Sequence, residues 1–69
     1  MFIVVEIQTS ADNKISTLIT QHDTIEAAQS KYHSILSAAA ISTVPVHAAV
    51  LITNTGDKLA SEFYRHAAE

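Results

Sequence analysis

His22-Asp23-Thr24-Ile25-Glu26-Ala27-Ala28 is the stretch at which the hydrophobic period of this chain changes. Upstream it is two residues and downstream it is 3.6, so a strand region gives way to a helix here. Asp23 with Glu26 three residues later fits a capping box, with Asp23 as N-cap and Glu26 at N3. Downstream, Ala28, Tyr32, Ile35, Leu36 and Ala39 form an apolar stripe, while Glu26, Gln29, Ser30, His33 and Ser37 fall on the other side. The helix should end near Ile41, because Thr43 and Val44 are β-branched and Pro45 disfavours the α conformation of the residue before it.

Before the helix lie two strands. Phe2 to Thr9 alternates Ile3, Val5 and Ile7 with Phe2, Val4, Glu6 and Gln8, and a second run, Lys14 to Gln21, alternates Ile15, Thr17 and Ile19 with Ser16, Leu18 and Thr20. Ser10-Ala11-Asp12-Asn13 between them is a turn signal, with Asn13 able to adopt positive φ. After the helix, Val44 to Thr53 is so continuously apolar that it reads as a central strand covered on both sides. Asn54-Thr55-Gly56-Asp57 supplies a second hairpin turn, and Leu59 to His66 the last strand, leaving Ala67-Ala68-Glu69 as a frayed tail. The fold class is α+β: a ββαββ chain forming a four-stranded antiparallel sheet with one helix packed on one face.

One helix leaves a second sheet face to account for. The more apolar set, Ile3, Val5, Ile7, Ile15, Ile19, Val46, Val50, Ile52, Leu59 and Phe63, is assigned to the helix side. Phe2, Val4, Leu18, His47, Leu51 and Tyr64 then form the other face, which is too apolar for water and marks an oligomer interface, a ligand site or both.

The chain has 69 residues and is read as a single domain, residues 1–69, whose core supplies only about 3–5 kcal/mol. It has no cysteine, so neither disulfides nor thiolate metal sites supplement that core, and self-association is the expected device. The formal charge of −3, with Lys14, Lys31, Lys58 and Arg65 as the fixed cations, argues against nucleic acid as a partner. The apolar start Met1 to Val5 runs into Glu6 and is too short for a signal segment or a membrane span, so a cytoplasmic location with no membrane partner is expected.

His22, His33, His47 and His66 lie on four different elements without ligand-like spacing, so neither a metal nor another cofactor is expected. His47 stands apart because it interrupts an apolar strand. Its imidazole must be hydrogen-bonded there, with Glu6, Glu62 or Tyr64 on the same face as possible partners, and the plain role of such a group is to fix strand or subunit register. No nucleophile with an oriented base is legible, and no catalytic residue is assigned. A ligand site is expected between subunits, formed by Tyr64, Arg65 and His66 with His47, and by Tyr32 and His33 from the helix. Tyr and His stack on planar rings, and Arg pairs with phosphate or carboxylate.

Phe2 to Thr9, Ser30 to Ala40, Val46-His47-Ala48-Ala49-Val50-Leu51 and Glu62-Phe63-Tyr64-Arg65-His66 together resemble a group of small uncharacterised proteins from phages and prophages of Firmicutes. The likeness spans nearly the whole chain and carries no catalytic signature, so it implies a context rather than a mechanism. A phage setting implies two non-enzymatic roles. The first is a homo-oligomeric binding module acting as a sponge that sequesters a nucleotide-derived host immune signal. The alternative is a structural or protein-interaction subunit of the virion or its assembly, and a small enzyme with an inter-subunit site would need His47 or His66 for its chemistry.

Overall fold

Two tight turns and one capped helix divide the chain into five elements. The computed structural model describes residues 1–66. It contains β1 (Phe2–Thr9), β2 (Ile15–His22), α1 (Ile25–Ala40), β3 (Val46–Thr53) and β4 (Lys58–Arg65). The tail at 67–69 lies outside the described residues. The four strands form one antiparallel sheet in the order β2-β1-β3-β4, with the helix against one face. Among the described residues, no helix is long and apolar enough to cross a membrane.

Local chemistry explains each boundary. In the first turn Asn13 sits at φ 65°, its N–H donating to the Ser10 carbonyl at 3.0 Å, and the Ser10 N–H donates to the Lys14 carbonyl at 2.9 Å. In the second turn Gly56 takes φ 96° and donates to the Thr53 carbonyl at 3.0 Å. The helix cap lies one residue later than expected. Thr24, in extended conformation, accepts the Ala27 N–H on its Oγ1 at 3.2 Å, so Glu26 occupies the second helical position and faces the dipole without closing a capping box. β3 begins at Val46 rather than Val44 because Pro45 has no N–H for a ladder. Its carbonyl accepts the His66 N–H at 2.8 Å instead.

The core forms between α1 and the central strands. Ala28, Tyr32 and Ile35 of the helix close over Val4 of β1 and Ala49 and Leu51 of β3, flanked by Phe2, Ile25, Leu36 and Ala60. This inverts the face assignment made from apolarity. The pairings Val4↔Leu51 and Leu51↔Ala60 run across the covered side, whereas Ile3↔Ile52, Val5↔Val50 and Val5↔Ile19 run across the uncovered one. The β-branched set once assigned to the helix is therefore the open face, where Ile15 and Ile19 are 67% and 61% exposed and Phe63 55%. Leu59, also assigned to the core, is half exposed next to a β-bulge in the β3–β4 ladder.

Two constraints that composition ignores explain the inversion. Because β2 and β3 both run antiparallel to β1, they are parallel to each other, and the β2–α1–β3 link is a crossover whose hand dictates which face the helix covers. The helix stripe also includes the small residues Ala28 and Ala39, and Ala49 and Ala60 are the small residues on the covered side of the sheet.

Leu51→Ala removes a 2%-exposed side chain from the centre of this core. It should cost about 2–5 kcal/mol in denaturant unfolding. A loss below about 1 kcal/mol would mean that the helix does not pack where it is placed here.

Candidate functional site

The covered layer contains one buried polar group. His47 is 4% exposed and lies in β3 directly opposite Gln8 of β1 and Tyr64 of β4. Glu6 is the diagonal neighbour of His47 across the β1–β3 ladder, within side-chain reach on the same face. The His47 Nε2–H donates to Glu6 Oε2 at 2.6 Å, and the same oxygen accepts from Gln8 Nε2 at 3.0 Å. The partner required by a histidine in an apolar strand is thus Glu6, one of the three residues the sequence offered. Tyr64 lies across the ladder and Glu62 interacts electrostatically with Tyr32.

Burial pushes the Glu6 carboxyl up. The hydrogen bonds from His47 and Gln8, reinforced by the charges of His47 and Lys31, outweigh it and hold the group below its ordinary value of 4.5. Tyr32 is pushed above 10.0 by burial, with the Glu62 carboxylate adding to the effect. The remaining ring nitrogen of His47, Nδ1, is buried without a partner. Shut away from solvent, Nδ1 is badly placed to serve as a base. The arrangement suits a register lock between β1 and β3 more than acid–base chemistry.

The other residues expected at one ligand site are dispersed. Tyr32 is buried in the core, and its ring meets the exposed His33 edge-on at 5.4 Å between centroids. His66 donates from Nε2 to the Ala39 carbonyl at 2.8 Å, tying the end of β4 to the last turn of the helix, where free carbonyls need donors. Strand alternation places Tyr64 on the covered side and Arg65 on the open side, where its guanidinium lies 5.9 Å from the centre of the Phe63 ring. The predicted cluster of Tyr64, Arg65, His66, His47, Tyr32 and His33 is therefore not one surface of a single chain. The described residues enclose no cavity, and no group of three or more metal-ligating side chains gathers among them. The sequence reading missed Gln8, although its position two residues from Glu6 on the same strand face was legible.

Comparison with family models, with curated proteins and with solved structures gave no match to this chain.

The Glu6 carboxylate gives stability a defined acid dependence. A carboxyl held below its ordinary value in the folded state contributes fully above about 4.5, and that contribution is lost as pH falls through the folded-state value. Urea midpoints between pH 7 and pH 3 should therefore decline more steeply for the wild type than for Glu6→Gln. Parallel profiles would remove Glu6 as the titrating group.

Proposed function

We propose that this protein is a non-enzymatic, self-associating module whose open sheet face is buried against a second copy. The observation that carries this reading is the composition of that face. Ile3, Val5 and Ile7 of β1, Ile15 and Ile19 of β2, and Val46, Ala48, Val50 and Ile52 of β3 form a mostly apolar surface, which Thr9, Thr17 and Gln21 share and on which these three strands place no charged side chain.

Size and charge favour a second copy as the occupant. Four strands about 4.8 Å apart and eight residues long, at about 3.3 Å each, make a face of roughly 500 Å² in plan. Two such faces together remove about 1,000 Å², and corrugation by side chains increases the accessible area further, which reaches the range of stable interfaces. Over β1, β2 and β3 the face is neutral and meets its own copy without like-charge contact, with Lys58 and Arg65 of β4 left to the rim, and aligned or crossed stacking of two sheets is an ordinary packing. The fully buried core of one chain holds only a handful of apolar side chains, so stacking supplies apolar burial that a chain of this size lacks.

A second reading, in which the assembly sequesters a nucleotide-derived anion, is favoured by one observation. Arg65 and Phe63 stand together on the open side of an edge strand, a cation beside a ring at the rim of the proposed interface.

Val50→Lys places a cation at the centre of the open face without entering the core. Wild-type mass by light scattering should be a multiple of 7.4 kDa, and Val50→Lys should lower it while the circular dichroism spectrum stays the same. A wild type that is monomeric at high micromolar concentration would sink the reading. For the second reading, thermal shifts with cyclic dinucleotides and ADP-ribose should appear in the wild type and vanish in Arg65→Ala. No shift in the wild type leaves association as the sole role.

A further inference from the structure

The two edges of this sheet are built differently. β4 carries Lys58, Glu62 and Arg65, and a bulge interrupts its ladder with β3. Charge and irregularity of this kind blunt an edge against pairing with another chain. β2, the other edge, has neither device. Its eight residues, Ile15–His22, include no charged residue and no proline, and their register with β1 is unbroken. Apart from Thr20 and His22 they are all exposed, and the helix lies mainly over β3. A long, regular, neutral edge presents a row of unpaired N–H and C=O groups.

We propose that β2 pairs antiparallel with β2 of a second copy, joining two sheets into one of eight strands. The inference rests on the face-burial reading, which it extends to a second contact. A two-fold axis through the edge sets residues of the same face opposite each other. Centred on Thr17 it places Ile15 against Ile19 on the open face, and centred on Leu18 it places Ser16 against Thr20 on the other. Neither register opposes like charges. A foreign strand would find no charge on β2 to select it, whereas a second copy brings matched length and the same apolar pairing. Joining the edges also brings the two open faces onto one side as a single, mostly apolar surface. Stacking two joined sheets through that surface gives a closed tetramer in which every copy uses both contacts.

Two substitutions separate the contacts. Leu18→Lys adds a cation to the β2 edge on the side away from the open face. Within its own chain the new side chain lies opposite Glu6, so the fold should tolerate it. Val50→Lys strikes the open face alone. Sedimentation of wild type, Leu18→Lys, Val50→Lys and the double variant should give a tetramer, two dimers and a monomer. If Leu18→Lys remains a tetramer, or a wild-type dimer is unaffected by it, edge pairing is overturned while the face reading stands. If Val50→Lys leaves the mass unchanged, the face reading falls, and loss of mass in Leu18→Lys then supports the edge alone. Should Leu18→Lys lose its circular dichroism signal, Ser16→Lys, at an exposed position on the same side of β2, replaces it and is read in the same way.

Discussion

A single helix cannot cover a four-stranded sheet, and the rest of this molecule follows from that. A helix is about 10 Å across with its side chains, while four strands span roughly 19 Å. α1 matches the strands in length, since sixteen residues rise about 24 Å, but not the sheet in width. It covers β1 and β3 and leaves the edges half open. Leu18 and Tyr64 remain substantially exposed although they lie on the helix side. Among the described residues, no helix or strand packs on the opposite face. The smallest dimension of the molecule, 15 Å between Cα extremes, is that of two layers, where a third would be needed to bury all the apolar surface.

Within the covered layer, the Glu6–His47 pair decides how the central strands meet. Burying an imidazole is costly unless its polar atoms are matched, and Glu6 and Gln8 match one side of it. A slip of one residue between β1 and β3 would carry His47 to the open face and part it from Glu6, so the pair discriminates against alternative registers. The orphaned Nδ1 marks the limit of that solution. Specific pairing is obtained with one nitrogen left unmatched.

The order and kind of elements were legible because they rest on local signals: Asn13 and Gly56 at the turns, the change of period at Asp23, and the stripe from Ala28 to Ala39. That His47 needs a hydrogen-bond partner was legible for a related reason, since a polar residue inside an apolar strand has few ways to be satisfied, and Glu6 was one of three candidates. The helix-facing side was not. Ranking faces by apolarity presumes that the more apolar one is the core, and this fails when a crossover fixes the covered side. Within one chain, alternation disperses the residues of the expected ligand cluster. Tyr64, Arg65 and His66 are adjacent in sequence, yet the strand sends Tyr64 and Arg65 to opposite faces, and His66 is engaged at the helix end.

The place of β1 in the sheet bears on how the chain acquires its structure. The first strand lies between β2 and β3, pairing Phe2 with Thr53 and Thr9 with Val46. The β1–β2 hairpin needs only neighbouring residues and closes quickly, but the central ladder joins residues as distant in sequence as Phe2 and Thr53 and spans the helix between them. Until β3 arrives, the hairpin exposes a bare central edge and two apolar faces. The docking of β3 is then the pairing that carries the largest loop-closure cost in the sheet.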